Sequence, residues 1–212
     1  MLKIGKMSQD SKLDIMLAIF ISSLVAANLL GTKITTILGV SVSVGIFAYP
    51  LSFLVTDIVA EVMGRERAKR FIVAGFISLV LVIILTSLSV VLPAASRYQY
   101  NDEYRLVFGA SLRMIVASMI AFVLAQIHDV WAFHLLKSKT KGKLLWLRNN
   151  LSTIFSQFID TTVFMFIAFY GVTPKFTASF IFALIIPYWL FKIAFAIIDT
   201  PLVYLGVKWL KK

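Results

Sequence analysis

Long apolar runs are the feature that most limits what this chain can fold into. Residues 71–92 contain no charged side chain, and several other runs approach the same length. A helix needs about 20 apolar residues to cross the hydrocarbon core of a bilayer. Only 15% of the 212 residues are charged, where a soluble domain has about 25%, and the mean hydropathy is +0.92. The sequence therefore predicts an all-α integral membrane protein.

The length accommodates six transmembrane helices with short loops, as a single transmembrane domain over residues 1–212. The apolar run that begins near residue 13 exceeds the roughly 7–15 residues of a signal-peptide core, so it is predicted to stay as the first helix. A short motif centred on an aspartate recurs in four of the helices, which leaves open an internal three-helix repeat. The predicted helices cover residues 13–30, 45–63, 71–92, 105–136, 151–169 and 178–205.

The distribution of Lys and Arg predicts the orientation. Fifteen of them fall in the N-terminal segment, the second and fourth connections and the C-terminal segment, against four on the opposite side. Because cytoplasmic loops are enriched in Lys and Arg, both termini are predicted to be cytoplasmic. The net charge of +11 is then a topology signal combined with contact to anionic lipid, and nucleic acid is not an expected partner.

Two carboxylates interrupt the apolar stretch of residues 49–64. Asp57 and Glu61 are four residues apart, so they share one face of the second predicted helix. A charged side chain at the centre of a membrane helix costs about 2.5–3.5 kcal/mol on insertion scales, so such groups turn toward a cavity or a partner. The other polar residues predicted inside the membrane are Arg113, Ser118, Gln126, His128, Asp129, Ser152, Ser156, Gln157, Asp160, Lys192 and Asp199.

Depth along the helices suggests which of these groups meet. At ~1.5 Å per residue, Asp160 and Lys192 both lie well inside the bilayer, which allows a pair between the last two helices. That pair is either part of a substrate site or a purely structural lock. Glu61 lies near the cytoplasmic boundary, where it is either a gate or a partner of Arg65. Asp199 is expected to serve a kink at the proline that follows it.

The sequence contains no motif that indicates an enzyme. His128 and His134 do not have zinc-ligand spacing, there is no phosphate-binding glycine loop, and no nucleophile is paired with a base. There is no cysteine. We therefore expect no cofactor, no metal site and no catalytic residue.

Four blocks of sequence resemble the queuosine precursor transporter family, also called the vitamin uptake transporter family. The resemblance implies six helices in a cell inner membrane and uptake of 7-deazaguanine compounds for salvage into the queuosine of tRNA. These compounds are 7-cyano-7-deazaguanine, 7-aminomethyl-7-deazaguanine and queuine. It also implies that Glu61 tunes substrate choice. The blocks are residues 53–64 with 68–70, 113–118 with 126–129, 152–161 with Phe164, and 188–192.

The chemistry of such a substrate suits the buried polar groups. A 7-deazaguanine presents an N1–H and an exocyclic amine side by side, and one carboxylate, Asp57 or Asp160, can accept both. Its carbonyl requires a donor, and the planar ring suits an aromatic wall. The residues predicted to bind substrate are Asp57, Asp160, Gln157, Arg113, Asn28, Lys192 and Trp189, and those predicted for gating or coupling are Glu61, Asp129 and Gln126.

Two other readings fit the same composition. One is a substrate-binding subunit of an energy-coupling-factor vitamin importer, which would need ATPase partners. The other is a membrane assembly or sensor protein whose buried charges only hold the helices together. The expected partners of the chain itself are the lipid bilayer and a small 7-deazaguanine substrate, and a homo-oligomer is left open.

Overall fold

A computed structural model describes residues 7–31, 33–37, 40–109, 112–171 and 174–211. Six of its helices are long and apolar enough to cross a membrane, which confirms the predicted all-α membrane architecture for the described chain. The helices are α1 (Gln9–Leu30), α2 (Tyr49–Met63), α3 (Arg65–Val91), α4 (Asn101–Gly109), α5 (Leu112–Lys139), α6 (Leu145–Phe169) and α7 (Ala178–Lys211).

A short β-hairpin joins α1 to α2. Strands β1 (Ile34–Ile37) and β2 (Val40–Ser43) pair antiparallel, and a 3-10 turn (Val44–Phe47) leads into α2. Helix α1 ends at Leu30, because the residues that follow are β-branched or alternate Val with Ser, which favours strand over helix.

The fourth predicted helix, residues 105–136, corresponds to two described stretches of helix, α4 and the membrane-spanning α5, and residues 110–111 between them lie outside the described residues. Helix α4 begins with Asp102 and Glu103 in its first turn and has no buried residue, and the Tyr104 hydroxyl donates to the Ser89 hydroxyl at the end of α3 (2.9 Å). Helix α6 begins at Leu145, six residues before the predicted start, and this earlier start brings Arg148 and Asn149 into the helix.

The two ends of the bundle differ in charge. The Lys12 ammonium donates to the carbonyl of Trp209 (2.9 Å), so the start of α1 and the end of α7 lie together. The α2–α3 junction at Gly64 and the α5–α6 connection lie at this same end, which we call the basic end. The opposite end carries the β-hairpin and is called the hairpin end.

The apolar core fixes α2 against its neighbours. Phe20 of α1, Val59 of α2 and Phe122 of α5 are fully buried in one cluster that also includes α3 and α7. Gly206 of α7 lies against Ile58 so closely that a β-carbon at position 206 would collide with the Ile58 side chain. Close packing of this kind holds the polar residues of α2 at defined positions.

Candidate substrate site between α2, α6 and α7

A cleft opens between α2, α6 and α7. It is narrow: the space inside it is about 20 Å³, room for about one water molecule, so a ligand the size of a purine would enter only if the helices moved apart. Three residues predicted to bind substrate, Asp57, Gln157 and Lys192, line it. The other lining residues are Ile46, Tyr49, Pro50, Phe53, Leu54, Asn149, Thr153, Ala196, Asp199 and Val203.

One stripe of α6 supplies the polar wall of the cleft. Asn149, Thr153 and Gln157 follow one another at intervals of four residues and therefore share a helix face. Opposite them Asp57 projects from α2, and its Oδ2 atom accepts a bond of 3.4 Å from the Thr153 hydroxyl. All four side chains are at most 5% exposed, so the polar wall is shielded from bulk solvent.

Several acceptors on this wall have no protein donor. The Oδ1 atom of Asp57, the Oδ1 atom of Asn149 and the Oε1 atom of Gln157 are buried and accept no hydrogen bond from the described protein groups. A buried polar group left without a partner costs about 1–3 kcal/mol. A ligand with several N–H groups on one edge would supply the donors that these three acceptors need.

The pair predicted from depth, Asp160 with Lys192, is present. The Lys192 ammonium lies 2.6 Å from Oδ2 of Asp160, and the Tyr49 hydroxyl donates to Oδ1 at 2.6 Å. The ammonium also lies 5.0 Å from the centroid of the Tyr49 ring, a cation–π distance. We call these three residues the Lys192 cluster. Each carboxylate oxygen of Asp160 already has a partner, and Asp160 is not on the wall of the cleft.

Glu61 belongs to a second cluster. Its Oε2 atom lies 2.6 Å from the Arg148 guanidinium and 2.9 Å from the Lys137 ammonium. Arg148 is fully buried, and its guanidinium stacks 5.3 Å from the Phe133 ring centroid. We call Glu61, Arg148 and Lys137 the Glu61 cluster.

This cluster corrects two expectations. Pairing of Glu61 with Arg65 is wrong, since the described carboxylate contacts Arg148 and Lys137 instead. The assignment of Arg148 to a loop is also wrong, because α6 begins at Leu145 and carries Arg148 into the bundle.

The residues predicted for coupling lie behind the cleft, at the interface of α2 with α5. The Asp129 side chain on α5 is fully buried. The Thr56 hydroxyl donates to Oε1 of Gln126 at 3.1 Å. Neither Gln126 nor Asp129 lines the cleft. His128 shares one hydrogen bond of 2.9 Å with the Ser156 hydroxyl.

The remaining predicted residues are not brought to the cleft. The Asn28 amide donates to the carbonyl of Leu24 (2.9 Å), within its own helix. The indole of Trp189 donates to the carbonyl of Ile154 (2.9 Å) and packs edge-on against Phe158, so it joins α6 to α7. The side chain of Arg113 lies outside the described residues. Asp199, expected only to serve a kink, is half-buried on the cleft wall.

Sequence reasoning missed four contributors for identifiable reasons. Tyr49 was treated only as the start of an apolar run. Lys137 and Arg148 were counted as loop residues. Asn149 lay before the predicted start of its helix, although the four-residue spacing to Thr153 and Gln157 was readable. Among the described residues, no group of three His, Asp or Glu side chains has the geometry to hold a metal ion.

Comparison with known proteins identifies related chains. A family model described as "Putative vitamin uptake transporter" matches residues 43–206, which include every residue lining the cleft. The chain is 31% identical over 186 residues to the "Probable queuosine precursor transporter" of Bacillus subtilis (strain 168), covering 87% of this chain and 80% of that protein. It is 29% identical over 163 residues to the "Queuosine precursor transporter" of Escherichia coli (strain K12), covering 77% and 71% respectively. No solved structure matches the chain.

Proposed function

Because the chain belongs to the vitamin uptake transporter family, we propose that it imports queuosine precursors through the cleft between α2, α6 and α7. The chain is a multi-pass membrane transporter and not an enzyme. The precursors are 7-deazaguanine compounds: 7-cyano-7-deazaguanine, 7-aminomethyl-7-deazaguanine or queuine. The membrane is the inner membrane, with both termini in the cytoplasm, where the precursor is needed for tRNA modification.

The observation that carries this proposal is the set of buried acceptors on the cleft wall. Asp57, Asn149 and Gln157 present oxygens that no described protein group satisfies. A 7-deazaguanine carries an N1–H and an amine on one edge, and a carboxylate accepts two parallel N–H groups in a bidentate arrangement. Asp57 is therefore the residue that reads the guanine edge.

Asp160 takes a different role from Asp57. Both of its oxygens already accept bonds, one from Tyr49 and one from Lys192. It therefore positions Lys192, whose ammonium lines the cleft and donates to the carbonyl of the bound ring. Asp160 acts through Lys192 rather than on the substrate.

The two charged clusters lie on opposite sides of the cleft. The Lys192 cluster joins α2 to α6 and α7 through the first residue of α2, toward the hairpin end. The Glu61 cluster joins α2 to α5 and α6 near the last residue of α2, toward the basic end. Transporters expose one site alternately to the two sides of the membrane. We infer that the two clusters are the outer and the inner gate of this cycle.

Binding is tested with purified protein in detergent. 7-Cyano-7-deazaguanine should raise the thermal unfolding midpoint of the wild-type protein, and Asp57→Asn should abolish the shift. An analogue without the exocyclic amine loses one hydrogen bond to a charged acceptor and should bind about 10- to 100-fold more weakly. Asp102→Asn, the same substitution on the exposed helix α4, is the matched control.

Transport is tested in proteoliposomes that contain only this protein. Uptake of the labelled precursor without any ATPase partner supports an autonomous transporter. Binding without uptake would favour the energy-coupling-factor subunit instead. Absence of any ligand-dependent thermal shift across the 7-deazaguanine series would overturn the proposal and favour a structural role for the buried charges.

A further inference from the structure

A second groove runs along α7 at the basic end, separate from the candidate substrate cleft. Most of its lining residues are three or four positions apart, so they follow one face of the helix. A different face of α7, which carries Lys192 and Asp199, lines the cleft. The residues lining the groove are Pro201, Tyr204, Leu205, Val207, Lys208 and Lys211.

The wall of this groove is mainly apolar and has the length of one bilayer leaflet. Pro201 and Leu205 are exposed, whereas Val207 at the edge of the groove is buried in the core of the bundle. The ten residues from Pro201 to Lys211 rise ~15 Å along the helix, about half of the ~30 Å hydrocarbon thickness. The apolar wall therefore matches the acyl region of one leaflet.

Aromatic side chains around the groove mark the level of the lipid headgroups. Tyr204 and Trp209 of α7 and Trp146 at the start of α6 are exposed. The Tyr204 hydroxyl accepts a hydrogen bond of 3.1 Å from the backbone N–H of Trp146. Tyr and Trp collect where the bilayer meets water, because their rings are apolar and their N–H or O–H groups are polar. The basic end of the groove thus lies at the membrane surface.

Two lysines at this end of the groove have no protein partner within the described chain. Lys208 and Lys211 are exposed and take part in none of the described ion pairs. Lys12 and Lys137 at the same end of the bundle are instead engaged, one by a backbone carbonyl and the other by Glu61. Residues three apart on a helix are neighbours, so the two free ammonium groups can contact one anion together.

We propose that this groove binds one anionic phospholipid, with its phosphate between Lys208 and Lys211 and an acyl chain along Pro201 and Leu205. The groove requires a ligand that is apolar over the depth of one leaflet and anionic at the surface, and an anionic phospholipid has both properties. A zwitterionic phospholipid carries its own cation beside the phosphate and is attracted less. A second copy of the chain packed on the same face would place lysines against lysines.

A lipid in this groove bears directly on the packing of α7. Val207 lines the groove and also belongs to the apolar core that joins α7 to α1, α2, α3 and α5. A molecule that binds only the folded protein stabilises it. The bound phospholipid should therefore raise the thermal unfolding midpoint of the whole bundle.

The experiment titrates the purified full chain, freed of lipid in a neutral detergent, with two phospholipids that have the same acyl chains. Phosphatidylglycerol should raise the unfolding midpoint at about 25-fold lower concentration than phosphatidylcholine, since each lysine contributes roughly fivefold. Lys208→Gln combined with Lys211→Gln should abolish this preference. Lys139→Gln combined with Lys141→Gln removes two exposed lysines near the end of α5 and should retain it.

Leu205→Trp separates the apolar wall from the charges. The larger side chain fills the groove and leaves both lysines in place, so stabilisation by either phospholipid should decrease at least tenfold in potency. Inorganic phosphate, which has the charge but no acyl chain, should not stabilise the wild-type protein.

Each other result would overturn the lipid site. Equal potency of the two phospholipids, or an equal loss of preference in the two double variants, would show that the groove does not select an anionic headgroup. Stabilisation by inorganic phosphate would indicate a site for a soluble anion. Lipid-free protein that is dimeric, and monomeric with Leu205→Trp, would assign the groove to contact between two copies. The comparison of the two phospholipids on the wild-type protein decides the question even where a variant does not fold.

Discussion

The Glu61 cluster and the Lys192 cluster are built on the same plan and differ in the cation at their centre, Arg148 in one and Lys192 in the other. Each holds one carboxylate between two partners from other helices, and both use α2 and α6. The third helix differs: it is α5 at the basic end and α7 toward the hairpin end. Opening the first cluster would release α5, and opening the second would release α7. The shared pair α2 and α6 carries the polar wall of the cleft, so it can remain fixed while either neighbour moves.

We expect the two clusters to differ in stability because one contains Arg148 and the other contains Lys192. Arg148 is fully buried and offers a planar fork of donors, whereas Lys192 is a single ammonium with 10% of its side chain exposed. Breaking a buried ion pair by removing one partner costs more as the remaining charge becomes harder to solvate. The Glu61 cluster should therefore be the harder of the two to open.

The largest effect is expected for Arg148→Met. It leaves Glu61 with Lys137 alone and should lower the free energy of unfolding in detergent by about 3–5 kcal/mol. The double variant Glu61→Gln with Arg148→Met removes both buried charges and should recover part of this loss. If Arg148→Met alone is as stable as the wild-type protein, the Glu61 cluster does not hold the basic end together.

Asp160→Asn should have a smaller effect, about 2–3 kcal/mol, since Lys192 keeps partial access to solvent and its contact with the Tyr49 ring. Exchanging the two charges, Asp160→Lys with Lys192→Asp, should restore much of the stability. Substrate uptake should remain impaired in the exchanged protein, because an aspartate at position 192 cannot donate to the substrate carbonyl. Full uptake in that protein would argue against the role assigned to Lys192.

Tyr49→Phe removes one hydrogen bond from the same cluster and keeps the ion pair. We expect a loss of about 1–2 kcal/mol, together with faster exchange of substrate at the hairpin end. Tyr188→Phe is the matched control, since the structure gives the Tyr188 hydroxyl no partner in this cluster. Equal effects of the two substitutions would mean that the Tyr49 hydroxyl contributes nothing specific.

The smallest effect is expected for Lys137→Met. The Lys137 side chain is 31% exposed, so its ion pair is partly screened and should contribute about 1 kcal/mol or less. Lys69→Met breaks the exposed ion pair with Glu66, so its loss of stability shows what a surface ion pair contributes in this protein. A loss as large as that of Arg148→Met would mean that Lys137, and not Arg148, anchors Glu61.

The contrast between the clusters also separates what the sequence could predict from what it could not. Asp160 and Lys192 both lie inside plain apolar runs, so counting residues along two helices was enough to pair them. Arg148 follows a run of Lys residues in the sequence between α5 and α6. Composition alone therefore assigned Arg148 to the loop that joins these two helices. Arg148 is buried because α6 begins before the apolar run and because α6 packs against α5 on the face that carries Arg148.

The polar wall of the cleft also combines residues that the sequence could identify with an arrangement that it could not. The presence of Asp57 and Gln157 in the membrane was readable from composition, because a carboxylate and an amide are conspicuous in apolar runs. Their assembly with Asn149 and Thr153 depends on helix rotation, which the sequence constrains only through its four-residue spacing. Trp189 was expected at the substrate because it is aromatic, yet its indole N–H is engaged by the backbone of the neighbouring helix.

Gly206 links the geometry of the cleft to a distant part of the chain. Ile58, the residue that fills the space above this glycine, follows Asp57 directly on α2. The position of Asp57 on the wall of the cleft thus depends partly on the absence of a side chain almost 150 positions later. A shift of about 1 Å at a binding group is enough to weaken recognition severely. If Asp57 binds the substrate as proposed, the single methyl group added by Gly206→Ala should alter substrate selectivity from a position that is not on the wall of the cleft.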